Sequence, residues 1–279
     1  MTRRSRNLFA LLLLLCLTAV PQAWAVVVGT FNIEHFTVSG NKAYVTSDLA
    51  HLAQTVRRSG ADVLALQEIE GNTSMRYFVT TQLRGWRYEG NDTGSAQDLF
   101  FLWNASKVEL LGSVRPAYAS QSMVFQGKKY RLFDRPPLMA RFREIATGRE
   151  FTMLNVHLKS MVTMGKADKA AAVRYNNEKR AQQLQKLNEL ARTVKGPLFI
   201  LGDYNSEDPR GEGAAFPLKG LVRGWSYDSM RSNLDYIGYQ NIHPSRLGPA
   251  METESRIPRR STKRKEHPDH DIITIRADL

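Results

Sequence analysis

Cysteine is almost absent from this sequence. The single residue, Cys16, cannot form a disulfide within the chain, and thiolate metal sites and iron–sulfur clusters need several cysteines. Acidic residues are also few, because 27 Asp and Glu stand against 39 Lys and Arg, which gives a formal net charge of +12. With 42% hydrophobic residues, 19 Gly and 11 Pro, the composition is that of an ordinary folded protein rather than a collagen-like or disordered chain.

The N-terminus has the pattern of a secretory signal. Residues 2–7 are basic, residues 8–20 are apolar, and Ala23-Trp24-Ala25 forms a small-x-small cleavage site. The apolar stretch is shorter than the ~20 residues of a membrane-spanning helix, and no later run of 18 or more apolar residues exists. We therefore expect residues 1–25 to be removed on export to the periplasm or the extracellular space, with an uncleaved anchor as the alternative. The mature chain would contain no cysteine nucleophile and keep a net charge of +9.

Apolar and β-branched runs recur along the mature chain and predict strands. They lie at Val26–Phe31, Val63–Leu66, Leu99–Trp103, Leu138–Phe142, Phe151–Val156, Leu198–Leu201, Leu234–Ile237 and Ile272–Ile275. Because strands and helices interleave without a repeat or a linker, we expect one domain, residues 26–279, built as a mixed-sheet α/β or α+β sandwich.

Capping and turn residues place the helices and loops between these strands. One helix is predicted from Ser47-Asp48 to Gly60, and a longer one over 168–193. Thr147-Gly148 predicts a hairpin turn, whereas residues 206–233 and 240–268 have the composition of loops.

Polar side chains stand at the ends of several predicted strands. They are Asn32, Glu68, His157, Asp203 with Asn205, and Asp269 with His270. A rigid sheet can direct such side chains into one cleft. Carboxylate and amide oxygens suit a hard cation such as Mg²⁺ or Mn²⁺, and two histidines beside it are suited to acid–base chemistry near neutral pH. Each motif alone also fits a turn or a buried structural residue.

The order of these motifs along the chain resembles the endonuclease/exonuclease/phosphatase superfamily, the DNase I-like metal-dependent phosphoesterases. The matching segments are Phe31-Asn32-Ile33-Glu34, Leu66-Gln67-Glu68-Ile69, Asp134-Arg135-Pro136-Pro137-Leu138, Asn155-Val156-His157-Leu158-Lys159-Ser160, Gly202-Asp203-Tyr204-Asn205, Leu234-Asp235-Tyr236-Ile237 and Asp269-His270. The resemblance implies a four-layered α/β sandwich, in which two packed mixed β-sheets are flanked by helices. It also implies a hydrolase of phosphoester bonds, since nucleases, phosphatases and sphingomyelinases belong to this superfamily.

The resemblance further implies a set of binding residues. Glu68 would be the principal ligand of Mg²⁺ (or Mn²⁺), with Asn32 and Asp269 beside it, and Ca²⁺ is a further candidate as a structural ion. Arg135 would contact a phosphate oxygen through its guanidinium fork. The structural alternatives are a strand-end cap for Asn32 and a turn for Arg135.

A second set would carry the chemistry. Asp203 would orient and deprotonate the attacking water, and Asn205 would hydrogen-bond the water or the phosphate. His157 and His270 would flank the scissile phosphate. Asp235 would fix the tautomer of His270, although it could instead pair with an arginine at the surface. The other histidines, His35, His51, His243 and His267, match no motif and are predicted to lie at the surface.

Charge favours nucleic acid as the substrate. A basic cluster at residues 256–265 precedes Asp269, and a second basic stretch, residues 166–180, follows His157. Such clusters attract a phosphate backbone by counterion release, so we expect a monomeric nuclease that cleaves DNA, or RNA, without sequence preference. Tyr175, Trp225 and Tyr227 are candidates for base stacking.

Two other functions are kept open. A secreted phospholipid phosphodiesterase of the sphingomyelinase type, or a phosphatase, is the first alternative. The lipid enzyme would need an exposed apolar tip, for which Met161–Met164 is the candidate. A catalytically silent binding module is the second alternative, although every expected catalytic residue type is present.

Overall fold

Two mixed β-sheets lie face to face at the centre of the computed structural model, which describes residues 25–222, 224–227, 230–257 and 268–279. The strands are β1 (Val26–Phe36), β2 (Val63–Ile69), β3 (Trp86–Gly90), β4 (Asp98–Asn104), β5 (Val108–Leu110), β6 (Arg115–Pro116), β7 (Ser122–Phe125), β8 (Lys128–Arg131), β9 (Leu138–Glu144), β10 (Glu150–His157), β11 (Leu198–Asp203), β12 (Leu218–Lys219), β13 (Asp235–Gln240), β14 (Leu247–Thr253) and β15 (Ile272–Ala277). The helices are α1 (Thr46–Arg58), α2 (Gly71–Gln82), α3 (Lys169–Thr193) and a 3₁₀ turn, Pro244–Arg246. All eight predicted strands are confirmed.

Each sheet contains one parallel strand pair among antiparallel ones. The first sheet has the order β14-β15-β1-β2-β4-β3, and β1 runs parallel to β2. The second has the order β12-β13-β11-β10-β9-β5 with β6 also paired to β9, and β10 runs parallel to β11. The small hairpin of β7 and β8 stands apart from both sheets. Because parallel strands end at the same edge, the C-terminal ends of both pairs can meet at one end of the sandwich.

Alternation along the strands divides the apolar side chains between the layers. In β10, Phe151 and Met153 point between the sheets, while Leu154 and Val156 pack against α3. Helices α1 and α2 cover the outer face of the first sheet in the same way. The predicted four-layered sandwich is therefore confirmed. Among the described residues, no helix has the length and apolar content needed to cross a bilayer.

Several elements differ from the sequence prediction. Helix α1 begins at Thr46, and the Val45 backbone N–H donates to Asp48 (3.0 Å), so Asp48 lies inside the helix rather than at its cap. The stretch 240–268, predicted as a loop, contains β14, an edge strand that tolerates glycine and proline. Helix α2 was not predicted, since it begins at a glycine and has no side-chain cap. Residues 1–24 of the predicted signal lie outside the described residues.

Gly202 permits the close pairing of β10 and β11 directly below the future site. Its φ is +152°, and an added Cβ would lie 1.8 Å from the Val156 carbonyl oxygen. We expect Gly202→Ala to lower the free energy of unfolding in urea by about 3 kcal/mol or more, from overpacking and backbone strain together. Gly148→Ala is the control, because that turn glycine has a φ of +73° but no atom near the added Cβ. The free energy of unfolding of Gly148→Ala should fall by only about 1–2 kcal/mol, the cost of the left-handed conformation alone. Equal losses in the two variants would show that the contact with Val156 is unimportant.

Candidate active site

The strand alternation brings three of the predicted site residues to one cleft. Asn32 in β1, His157 in β10 and Asp203 in β11 point to the inner face of their sheets. In each strand, the residue four positions earlier has the same orientation and packs in the core between the sheets. All three lie at the C-terminal part of a parallel strand, where the apolar core ends. Their side chains are nearly inaccessible to water, with residue exposures of 1%, 4% and 2%. The cleft therefore has polar groups fixed by the sheets themselves.

Glu68 reaches the same cleft by a different route. Simple alternation in β2 places Gln67 on the inner face and would turn Glu68 outward. A register shift between Leu66 and Ile69 and a left-handed backbone at Glu68 (φ 61°) interrupt the alternation. Such an irregularity re-aims a side chain, and here it turns the carboxylate towards the other sheet.

The carboxylates of Glu68 and Asp203 share one amide. The Asn32 Nδ2 group donates to Asp203 Oδ2 (3.1 Å) and lies 3.4 Å from Glu68 Oε1. The Asn32 oxygen accepts the Glu34 backbone N–H at 3.0 Å, which fixes the orientation of the amide. His157 Nε2 lies 3.5 Å from Asp203 Oδ2 and 3.8 Å from Glu68 Oε1. Asn32 and His157 thus each lie close to both carboxylates, Glu68 and Asp203.

His270 and Asp235 form a buried pair on the other side of Asp203. His270 Nδ1 and Asp235 Oδ2 are 2.8 Å apart, and His270 Nε2 lies 3.9 Å from Asp203 Oδ2 and 3.9 Å from Asp269 Oδ1. Burial alone would lower the pKa of His270, but the charge and hydrogen bond of Asp235, with Asp203 and Asp269, raise it to about 10. His270 is therefore positively charged at neutral pH. The alternative of a surface pair for Asp235 does not hold, since this residue is 0% exposed.

The two histidines have opposite electrostatic environments. Burial lowers the pKa of His157 well below its ordinary value, and the nearby Arg135 cation lowers it further. In the described part of the chain, no group forms a hydrogen bond with His157 Nδ1. The corresponding atom of His270, by contrast, forms a hydrogen bond with the Asp235 carboxylate. One imidazole is thus neutral and the other charged, and such a divergence separates acid and base roles.

Asp203 is held by backbone on one side and faces the histidines on the other. Its Oδ1 accepts the Asn205 backbone N–H at 2.8 Å, and Asn205 Nδ2 lies 3.3 Å from the Leu158 carbonyl oxygen. Burial raises the pKa of Asp203, although the charge of His270 opposes the shift. Burial likewise raises the pKa of Asp269, again against His270. Both carboxyl groups therefore bind protons more tightly than an exposed carboxylate does.

Arg135 lies at the edge of this constellation and is tied to the protein. Its guanidinium donates to the carbonyl oxygens of His157 (3.3 Å) and Leu158 (2.7 Å) and to Gln97 Oε1 (2.7 Å). Burial lowers the pKa of Arg135, although nearby carboxylates oppose the shift. Three of its five N–H donors are thereby used, so at least one edge is left for an oxygen atom in the pocket.

The oxygen donors of the pocket fit a hard divalent cation. Glu68 and Asp269 present carboxylates, and the charge of Glu68 acts on Asp269. Among the residues that the structure describes, no three His, Cys, Asp or Glu side chains converge as a closed metal cage. Mg²⁺ commonly uses one or two carboxylates together with water and substrate phosphate oxygens, so this donor set suits Mg²⁺ better than Zn²⁺.

Other residues complete a cavity of about 350 Å³ around these groups. His35, predicted to be a surface residue, is half-exposed but donates its backbone N–H to Glu68 Oε2 (3.2 Å). Gln97, Lys159 and Tyr227 also line the cavity, and the Tyr227 ring lies 4.8 Å from that of His270. Lys159 lies within the predicted histidine motif, so the sequence contained a signal for it, whereas Gln97 stands in a polar loop that gave no signal.

The remaining histidines follow the surface prediction only in part. His243 is exposed, as expected, and its Nδ1 accepts the Ser245 backbone N–H. His51 is half-buried in α1, and its Nε2 atom is shielded from water, so the surface prediction is wrong for it. His267 lies outside the described residues.

Part of the predicted basic surface is buried instead. Lys179 binds Asp134 (2.7 Å), and the Arg180 guanidinium forms two hydrogen bonds to Glu212 (2.9 and 2.7 Å), with both cations about 2% exposed. These pairs hold α3 against neighbouring loops and cannot attract a ligand from solution. Of the basic cluster at residues 256–265, residues 258–265 lie outside the described residues.

Comparison with known proteins gives a consistent result. The family model described as Endonuclease/Exonuclease/phosphatase family matches residues 29–249, while no curated protein sequence matches the chain significantly. An endonuclease/exonuclease/phosphatase from Bacteroides vulgatus superposes with a TM-score of 0.65 at 16% identity, covering 92% of this chain and 99% of that one. At such identities, a structural likeness shows the fold.

Two further structures with the same fold have more specific names. A mannosyl-6-phosphatase from Bacteroides thetaiotaomicron has a TM-score of 0.60 at 16% identity, covering 90% of this chain and 98% of that one. The D. rerio protein TDP2, complexed with a single-strand DNA product, has a TM-score of 0.62 at 14% identity with the same coverage, 90% and 98%.

Proposed function

The chain belongs to the endonuclease/exonuclease/phosphatase family of phosphoester hydrolases, which generally use divalent metal ions, typically Mg²⁺, and we propose that it is a Mg²⁺-dependent nuclease. The observation that carries this proposal is the position of Asp203. Its Oδ2 atom lies 3.5 Å from Nε2 of the neutral His157 and 3.9 Å from Nε2 of the charged His270. A carboxylate between a neutral and a charged imidazole is equipped to move a proton at a phosphate.

Glu68 and Asp269 would hold the metal ion, and Asn32 fixes the position of the Glu68 carboxylate through its amide. The ion, when bound, supplies positive charge that stabilises the developing charge on the phosphate oxygens. Mn²⁺ has the same preference for oxygen ligands and is the alternative ion.

Asp203 is the proposed acceptor of the water proton. The hydrogen bond from the Asn205 backbone occupies Oδ1, so Oδ2 is the oxygen that faces the cavity. Because burial raises the pKa of Asp203, its carboxylate is a stronger base than an exposed aspartate. The attack of this water in line with the leaving oxygen would break the phosphoester bond.

The histidines and Arg135 serve the phosphate. His270, kept protonated at Nδ1 by Asp235, can donate from Nε2 to a phosphate oxygen or to the leaving oxygen. The neutral His157 offers Nε2 to the same region without adding charge. Arg135, held by two backbone carbonyls, presents its remaining N–H groups from a fixed position.

Charge supports nucleic acid as the substrate. Residues 26–279 carry a formal net charge of +9, and a polyanion gains binding energy from such a surface through counterion release. The fold is also that of TDP2, whose structure holds a single-strand DNA product. We propose DNA as the main substrate and RNA as the alternative, for an exported monomer that loses residues 1–25.

One observation favours a second candidate, a phospholipid phosphodiesterase. Met161 and Val162 line the catalytic cavity. Val162 is 60% exposed, and Met164, two residues further along the chain, is 86% exposed. An exposed apolar tip next to the site is what an enzyme that works at a lipid interface would present.

A substrate panel separates these functions. We expect residues 26–279 with Mg²⁺ to hydrolyse plasmid DNA and the small diester bis-p-nitrophenyl phosphate, and expect EDTA to abolish both reactions because Glu68 and Asp269 then lack their ion. The monoester p-nitrophenyl phosphate and sphingomyelin vesicles are assayed in parallel. Nicked or shortened DNA on gels, p-nitrophenol from the two small esters and phosphocholine from the vesicles are the products measured. Hydrolysis of the vesicles but not of DNA would show that the protein is a phospholipid phosphodiesterase instead of a nuclease. Hydrolysis of the monoester alone would show that it is a phosphatase.

A further inference from the structure

The hairpin of β7 and β8 carries a basic face that the sequence motifs do not predict. Its two-residue turn, Gln126-Gly127, has positive φ at both positions (48° and 74°), as the tightest hairpins require. Ser122 pairs with Arg131 and Val124 with Lys129. Since directly opposed side chains lie on the same face of a strand pair, Lys129 and Arg131 project from one face of the hairpin.

The opposite face anchors the hairpin to the domain. Met123 is 3% exposed, and the rings of Phe125 and Tyr130 lie 5.2 Å and 5.1 Å from that of Tyr175 in α3. Tyr175, a candidate for base stacking, is thus used for packing instead. The basic face is therefore presented from a fixed position.

The cations of this face differ from the other described cations nearby. Within the part of the chain that the structure describes, no carboxylate or other side chain pairs with Lys129 or Arg131, and all four residues of β8 are exposed. By contrast, Arg141 and Arg143 of β9 bind Glu150 at 2.7 and 3.0 Å. Among the described residues, the positive charge of this hairpin face is thus not neutralised by an ion pair.

A second cavity shares one lining residue with this face and another with the catalytic cavity. It has a volume of about 320 Å³ and is lined by Arg131 and by Arg135, which also lines the catalytic cavity. Its two carboxylates are already bonded, Asp98 to the backbone and hydroxyl of Thr93 and Asp134 to Lys179. Positive and polar groups therefore continue from the catalytic pocket to the hairpin.

We propose that the outward face of this hairpin, through Lys129 and Arg131, binds the phosphate backbone of a nucleic-acid substrate beside the scissile phosphate. The inference rests on the proposed nuclease function and identifies the surface that would bind the nucleic-acid substrate. Backbone contacts of this kind position a substrate without reading its sequence. The hairpin should therefore contribute equally to substrates of any sequence.

The test is the salt dependence of DNA binding by the double variant Lys129→Ala, Arg131→Ala. Binding of the mature protein to a fluorescent 20-base-pair duplex is followed by anisotropy in EDTA, between 50 and 200 mM NaCl. Each lost phosphate contact should reduce the slope of log K against log salt by about 0.9, so the double variant should lose about 1.8. At 100 mM salt the same change corresponds to binding weaker by a factor of tens.

The matched control is Arg141→Ala, Arg143→Ala, which removes the same charge from an ion-paired site on β9. Its slope should stay at the wild-type value. Equal losses in both variants, or a wild-type slope in the hairpin variant, would overturn the hairpin proposal while the nuclease stands. Wild-type protein that binds no duplex and cleaves no plasmid would remove the proposed function itself. Loss of binding to phosphatidylglycerol vesicles, with DNA binding intact, would assign the face to a lipid surface instead.

Discussion

Replacing Asp203 by asparagine is expected to lower kcat for DNA cleavage by about 10²–10⁴-fold, the usual contribution of a general base. The amide has nearly the same shape, and its oxygen can still accept the Asn205 backbone N–H, while its nitrogen takes the place of Oδ2, which accepts a hydrogen bond from Asn32 in the wild type. What is lost is the basic oxygen that faces His157 and His270. The measurement is single-turnover cleavage of a labelled duplex with saturating Mg²⁺.

The same substitution should not reduce stability. Because burial raises the pKa of Asp203, the ionised carboxylate is less favourable in the folded protein than in the unfolded chain at neutral pH. Asparagine removes that cost but places an N–H group opposite the Asn32 amide and His270, so the two effects oppose each other and the Tm should stay close to the wild-type value. Asp278→Asn, which alters an exposed pair with Arg149, is the control and should keep full activity. A folded Asp203→Asn enzyme with wild-type kcat would exclude Asp203 as the base.

Replacing Asp235 by alanine is expected to lower the free energy of unfolding by about 3–5 kcal/mol near neutral pH, because it leaves a buried histidine cation without its carboxylate. Asp235 and His270 are 0% and 5% exposed, and their side chains are 2.8 Å apart. Urea unfolding followed by fluorescence gives the loss. Asp235→Asn should lose less, since its oxygen can still accept the Nδ1 proton.

This loss should depend on pH in one direction. The pKa of His270 is about 10 in the folded protein, against an ordinary value of 6.5. A raised pKa gives stabilisation that is complete below the unfolded value and disappears as pH rises through the folded value. The difference between wild type and Asp235→Ala should therefore be larger at pH 6.5 than above pH 10. An equal difference at both pH values would show that the pair is not charged.

The placement of most site residues could be predicted from the sequence because two simple rules act together. Strand alternation puts Asn32, His157 and Asp203 on the inner faces of their strands, and the parallel pairs bring the strand ends to one edge. The order of the motifs along the chain then identifies the family. Alternation and motif order can be seen within each segment of the sequence, whereas the parallel pairing of β1 with β2 and of β10 with β11 joins distant segments and appears only in the structure.

The features that could not be predicted depend on contacts between distant residues. Glu68 enters the cleft only through a left-handed residue in a shifted register, which the surrounding sheet enforces. Lys179 and Arg180 have ordinary basic positions in a helix, but their partners Asp134 and Glu212 stand 45 and 32 residues away and bury them. The basic hairpin was missed because its four exposed residues, 128–131, show no alternation of apolar and polar side chains.

The proposed reaction is the hydrolysis of phosphodiester bonds of DNA with a divalent metal ion and Asp203 as the base. Its most direct test is the nicking of supercoiled plasmid by a protein of residues 26–279, as Mg²⁺ is titrated in, beside an Asp203→Asn preparation purified identically. We expect metal-dependent conversion to open circles by the wild type and conversion slower by at least about 10²-fold by the variant. Equal nicking by both preparations, or undiminished nicking in EDTA, would contradict it.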